Sequence, residues 1–266
     1  IDNPLGFIST TAYGSNSTTI TVPSGTEYSA NTLLRTTTTD ADGEIMDTYI
    51  DKKGRRILER RHVVDNTSYA DTYFQYDGKD RLIKVVPPGV DTSQTALMYT
   101  YVYDGADRIT EKTVPDAGTL KYRYNSRDLM TYTQDANMSP TNKWIHLNYD
   151  AYGRDTVTGF ITINTNPNGN VVSNIDDKLT KTYYDGYNGA TQLSLTTNPQ
   201  YRGKVRKSMS RILDGGNNWL HSTFSYDVHG RTTNTTGNNH LTPASTNSEQ
   251  AAFTYDWADA VLTQNR

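Results

Sequence analysis

The chain has 266 residues, enough for one large domain or two smaller ones with a substantial core. Its 26 basic and 29 acidic residues give a formal charge of −3 with no block of either sign, which argues against a nucleic-acid or membrane-surface partner. Cysteine is absent, excluding disulfides and thiolate metal sites, and no apolar run approaches the ~20 residues needed to span a bilayer.

The first residue is Ile1, so we expect a piece of a longer polypeptide, in which a missing targeting signal says little. Residues 1–35 form a Thr- and Ser-rich lead-in, with Thr18–Val22 alternating like a strand and stopping at the turn signal Pro23-Ser24-Gly25. Residues 36–266 read as one continuous repeat domain. Its anchors are Asp40, Asp51, Asp77, Asp104, Asn125, Asp150, Asp185, Asp227 and Asp256.

Three residues after each anchor stand Gly43, Gly54, Asp80, Asp107, Asp128, Gly153, Asn188, Gly230 and Asp259. All are Gly, Asp or Asn, the residues that most readily take a positive φ. A hairpin built on a type I turn needs such a residue at its end, where it forms a bulge, and the anchoring carboxylate can accept the turn's N–H groups. The Asp185 and Asp256 copies lack the Arg that usually follows, and the Asp40 copy has Glu44 there.

Tyr76, Tyr103, Tyr124, Tyr149, Tyr184, Tyr226 and Tyr255 precede their anchors directly, with Phe74, Tyr101, Tyr122, Leu147, Thr182, Phe224 and Phe253 two positions earlier. A period of two puts both sets on one sheet face, where we expect ring-on-ring ladders between hairpins. Tyr (20) far outnumbers Phe (5), and no stretch shows a 3.6-residue period. The predicted fold is therefore all-β, a series of consecutive antiparallel β-hairpins. Residues 161–174 read as an extra hairpin around Asn166-Pro167-Asn168-Gly169, and residues 237–250 as a long exposed loop.

The sentences Tyr76-Asp77…Arg81, Tyr103-Asp104…Arg108, Tyr149-Asp150…Gly153-Arg154 and Tyr226-Asp227…Gly230-Arg231 resemble the YD repeats of the RHS (rearrangement hotspot) family. Wider wording is similar to its Bacteroidota branch: Asp51-Lys52-Lys53-Gly54-Arg55, Val85-Val86-Pro87-Pro88, Glu111-Lys112-Thr113-Val114-Pro115, and Thr133-Gln134-Asp135 with Asn142-Lys143-Trp144. The resemblance spans about residues 36–260. It implies a curved, coiled sheet forming part of a hollow β-shell, whose wall encloses the protein's own C-terminal domain, often a toxin. The family's closing Asp-Pro-x-Gly signature is absent from this stretch, so the piece would be wall and not cargo. Implied partners are further repeats and that cargo domain, with type nine export machinery or surface glycans as others, at a secreted or cell-surface location. No cofactor is implied.

Other candidate sites have plainer explanations. His62, His146, His221, His229 and His240 are scattered without metal-ligand spacing, as surface or strand-face residues. Asp40-Ala41-Asp42-Gly43-Glu44 faintly resembles a calcium loop but suits a hairpin turn. Paired carboxylates of the glycosidase kind are unexpected because most Asp already hold turns. The repeated Arg55, Arg81, Arg108, Arg154 and Arg231 could face an anionic ligand, but fit better as partners of turn Asp or of a neighbouring Tyr. Trp144 and Trp219 fit strand packing, though Trp144, Trp219 and Trp257 could form a sugar platform. Asn66 and Asn234 lie in Asn-x-Ser/Thr sequences. The expectation is a non-enzymatic wall segment, with a carbohydrate-binding surface adhesin as the alternative; an enzyme would require a deep pocket with converging Asp and His side chains.

Overall fold

Strand pairing and the turns between strands meet the backbone hydrogen bonds. In the computed structural model, the regular structure among the described residues is twenty strands and three single 3-10 turns, and eighteen of these strands belong to one antiparallel sheet. The structure describes residues 10–63, 68–169, 175, 177–213, 217–238 and 249–265. The chain divides into two compact units, 1–122 and 123–266.

In the first unit the strands are β1 (Thr10–Ser15), β2 (Ile20–Thr21), β3 (Glu27–Tyr28), β4 (Leu34–Thr39), β5 (Ile45–Ile50), β6 (Arg56–His62), β7 (Tyr69–Tyr76), β8 (Leu82–Val86), β9 (Tyr99–Tyr103), β10 (Ile109–Val114) and β11 (Gly118–Tyr124), the last ending just past the division. β1 from the lead-in pairs with β4, and β4 to β11 then pair in sequence order. β2 and β3 form a separate hairpin closed at Pro23–Gly25, where the Gly25 N–H bonds to the Val22 carbonyl at 2.8 Å. This hairpin covers one end of the sheet. Ile20, Val22 and Leu33 pack with Tyr49, Ile57 and Leu58, all less than 9% exposed, and Tyr28, Tyr73 and Tyr76 edge the cluster.

In the second unit the strands are β12 (Met130–Gln134), β13 (Lys143–Tyr149), β14 (Asp155–Thr162), β15 (Asp177–Tyr184), β16 (Val205–Arg211), β17 (Trp219–Tyr226), β18 (Thr232–Gly237), β19 (Glu249–Tyr255) and β20 (Val261–Asn265). Each pairs antiparallel with the next. A smaller core joins Tyr132, Trp144 and Ile161, with Ile163 against it.

The expected hairpin at residues 161–174 differs in its described part. β14 runs to Thr162, and residues 163–169 carry no strand. Gly169, at φ +82°, is pressed against the backbone at Tyr124, and a Cβ there would lie 1.9 Å from the Tyr124 carbonyl oxygen. Residues 170–174, its other limb, lie outside the described residues, as do 239–248 of the expected long loop, with His240, and Asn66.

Candidate functional site

The repeated turn is built from its anchoring carboxylate. At Asp77, the backbone N–H bonds to the Arg81 carbonyl at 3.0 Å, and the Asp80 N–H returns to the Asp77 carbonyl at 3.1 Å. Asp77 Oδ1 accepts the N–H groups of Lys79 and Arg81 at 2.9 and 3.0 Å. Asp104, Asp150 and Asp227 repeat this with Ala106/Arg108, Tyr152/Arg154 and His229/Arg231. The third position takes the left-handed conformation at Gly43, Gly54, Asp80, Asp107, Asp128, Gly153, Gly230 and Asp259. A bulge follows from it, seen as a register shift beside Tyr76, Ile109, Tyr149 and Tyr226.

The Arg closes the turn and then reaches beyond it. Arg81 Nε and Nη2 hold Asp77 Oδ2 at 2.7 and 2.6 Å, and Arg108, Arg154 and Arg231 grip Asp104, Asp150 and Asp227 the same way. The guanidinium also faces the next anchor region on the same edge: Nη1 of Arg55, Arg81 and Arg231 meets Asp80, Asp107 and Asp259, and Arg154 Nη2, which also holds Asp150, meets Asp185 Oδ2 at 2.5 Å. The same guanidinium lies over the next copy's aromatic ring, Arg55 on Tyr76, Arg81 on Tyr103, Arg154 on Tyr184 and Arg231 on Tyr255, at 4.2 to 5.2 Å from the centroid. In these copies Arg therefore stands where ring-on-ring stacking was expected. Four anchor-preceding tyrosines add a second tie: Tyr103 OH donates to the Leu82 carbonyl at 2.7 Å, Tyr149 to Met130 at 2.7 Å, Tyr226 to Val205 at 2.7 Å and Tyr255 to Thr232 at 2.6 Å.

Burial pushes the Asp77, Asp104, Asp150 and Asp227 carboxyls upward, but the following Arg and the turn N–H groups outweigh it and leave all four below the ordinary value. Burial raises the Tyr103, Tyr149 and Tyr226 hydroxyls, keeping them neutral donors.

Asp40 holds a hairpin turn as expected, and Asp185 departs from the expectation. Asp40 joins β4 to β5, so its turn lies at the opposite strand end from those of Asp51, Asp77 and Asp104; its Oδ1 accepts the N–H groups of Asp42 and Glu44 at 3.0 and 2.9 Å, as a turn and not an ion loop. Asp185 opens an excursion that starts with a tight turn over left-handed Asp185 and Gly186, the Tyr187 N–H returning to the Tyr184 carbonyl at 2.9 Å. Its N–H bonds to the Lys204 carbonyl at 3.1 Å and its Oδ1 accepts the Gly203 N–H at 2.7 Å, so Gly203 and Lys204 close the hairpin. Asn188 does not take the left-handed position; its side chain caps a local loop through the N–H groups of Ala190 and Thr191.

The histidines separate. His146 is fully buried on β13, where Nδ1 meets the Thr131 carbonyl at 2.9 Å and Nε2 meets Asn148 Oδ1 at 2.8 Å. His221 lies on β17, and His229 is in the Asp227 turn. His62 pairs through Nε2 with buried Asp47 at 3.1 Å, a contact that sequence spacing did not reveal. Beside them Arg60 forks onto Asp71 at 2.7 Å for both bonds, and Tyr73 OH donates to Asp71 at 3.0 Å. Burial, then Asp71, pushes the Tyr73 hydroxyl up to about 12. Asp and His thus converge, but the hydroxyl at Asp47 belongs to Thr37 and donates to the carboxylate, which gives no nucleophile on the imidazole. Trp144 is core, Trp219 is half-buried on β17, and Trp257 is 96% exposed at a turn tip.

Together these features define a β-hairpin repeat sheet with cross-clamped turns. No protein-family model and no curated protein matches the chain. Solved structures do share its fold, which is of the RHS-shell type. The crystal structure of TcdB2-TccC3-Cdc42 has a TM-score of 0.59 at 13% identity, covering 97% of this chain and 13% of that one. A mutant TccC3 form of the Photorhabdus luminescens Tc holotoxin pore gives 0.60 at 14% identity over 91% of this chain and 13% of that one. TcdB2-TccC3 without its hypervariable C-terminal region gives 0.57 at 14% identity over 92% and 13%. The chain spans about an eighth of the length of each of these structures.

Proposed function

We propose that this chain is a non-enzymatic wall segment of a large RHS/YD-repeat protein, of the Bacteroidota type, secreted or held at the cell surface. Its work is enclosure. Hairpins join edge to edge, and the wall they build shields a C-terminal domain of the same polypeptide, a toxin in this reading. The observation that carries it is the clamp by which Arg55, Arg81, Arg154 and Arg231 each tie one anchor region to the next, which makes those copies parts of one wall. The fold shared with TcdB2-TccC3 supports it. Among the described residues no helix is long and apolar enough to cross a membrane.

Limited proteolysis of the longer polypeptide tests this reading. A domain following these repeats should stay intact at protease levels that digest the same domain expressed alone. Digestion at equal rates in both forms would remove the enclosure role.

A further inference from the structure

One sheet face of the second unit carries cations with little acid to answer them. Lys181 on β15 stands opposite Met209 on β16, which stands opposite His221 on β17; one row along, Tyr183, Lys207 and Thr223 are aligned across the same strands. Directly opposed residues share a face, with neighbouring strands 4.7–4.9 Å apart, so two ammonium groups, an imidazole, a phenol and a hydroxyl converge within about 10 Å. Trp219 joins them, with the Lys181 ammonium 4.4 Å from its ring centroid. Arg211 on this face is already matched by Asp177. Burial, then the like charges of Lys178 and Lys207, disfavours the charged form of Lys181, and burial, then Lys207, disfavours that of His221. Among the described residues no carboxylate forms an ion pair with Lys181 or Lys207. Such a cluster has unspent attraction for an anion.

The structure assigns to the face of Lys181, Lys207, Trp219 and His221 the binding of an acidic polysaccharide. The backbone chooses this class over an acidic peptide. β15 to β17 pair across their length, and the Asn238 side chain holds the His221 N–H and the Trp219 carbonyl, so a ligand meets side chains. A peptide laid across them would have its own backbone groups unanswered by any strand edge. A sugar chain carries hydroxyls, which Thr223 and His221 can meet, and ring faces, which suit Trp219, since the Tyr183 ring is packed against Tyr187 and Gly189. Its carboxylates or sulfates meet the two lysines. This inference rests on residues outside the turn clamp, so its failure leaves the wall reading standing.

The test is calorimetric titration of the 266-residue chain with polygalacturonate oligomers, a sulfated dextran, neutral dextran and poly-glutamate. Binding of one or both acidic glycans is expected, weakening with salt, with no binding to neutral dextran. The Lys181→Gln/Lys207→Gln variant should lose about tenfold or more in affinity, while Lys52→Gln/Lys84→Gln in the first unit should match the parent. Circular dichroism melting verifies that each variant is folded; should the first pair prove unfolded, Lys207→Gln alone replaces it. No binding to either acidic glycan, equal binding by poly-glutamate, or an undiminished affinity in the lysine variant would overturn the assignment.

Discussion

Arg81 Nη1 lies 2.5 Å from Asp107 Oδ1, a carboxylate that belongs to the following turn, while the other two nitrogens of the same guanidinium hold Asp77. One side chain therefore closes its own hairpin and fixes the next. The residue it meets depends on what it is. Asp80, Asp107 and Asp259 accept left-handed backbone where an Arg faces them, whereas Gly153 faces Leu129 and Gly230 faces Lys204, whose side-chain carbons lie 3.6 and 3.2 Å from where a Cβ would stand.

Arg81→Gln and Asp107→Asn should each lower the melting temperature, and together they should lower it by less than the sum. A double-mutant cycle by thermal melting checks this, since two groups in direct contact couple and independent ones add.

The pairing can be moved. Gly153→Asp puts a side chain in left-handed backbone, where only the Arg127 guanidinium, already held by the Asp150 and Ala151 carbonyls, stands on the same turn, and should cost roughly 1 kcal/mol. Adding Leu129→Arg should restore part of that loss, because it recreates the Arg-to-Asp arrangement one turn further along. Urea unfolding of the single and double variants measures the recovery.

Tyr226→Phe removes the donor to the Val205 carbonyl and leaves the ring in place, at an expected cost of about 0.5–1.5 kcal/mol. Tyr13→Phe is the control, because Tyr13 is 76% exposed, and it should leave stability within about 0.5 kcal/mol of the parent. Denaturant midpoints distinguish the two.

Acid acts on the anchors. Asp77, Asp104, Asp150 and Asp227 hold their protons less tightly when folded than the ordinary value of about 3.9. Their contribution is present above that value and is lost as pH falls through the lower, folded one. The melting temperature should be level from neutrality towards pH 4 and drop below it. Asp227→Asn should start lower and show a shallower drop. An alkaline loss should mirror it: burial raises Tyr73 and Tyr103, so stability present below about pH 10 is lost as pH climbs through their folded values.

The turns were legible because their chemistry is local. An Asp followed by a left-handed Gly or Asp needs only neighbouring residues to specify it, and Asp77 through Arg81 carry all of them. The ties between copies were less so. That Tyr103 would reach the Leu82 carbonyl depends on strand register, and Phe74 or Tyr101 two positions away looks equally aromatic in the sequence. Asp185 misled because Asn188 stands where a tight turn's last residue would, while the residues that close its hairpin, Gly203 and Lys204, stand far along the chain. The Asp47–His62 pair stayed hidden for the same reason: only the β5–β6 register sets them side by side.

Backbone hydrogen exchange in the Arg81→Gln variant probes most directly the clamping of one copy by the next. We expect faster exchange at Asp107 and Arg108 in the following turn as well as at residues 77–81, with residues 150–154 unchanged. Acceleration confined to residues 77–81 would mean that each hairpin stands by itself, and the clamped wall would be wrong.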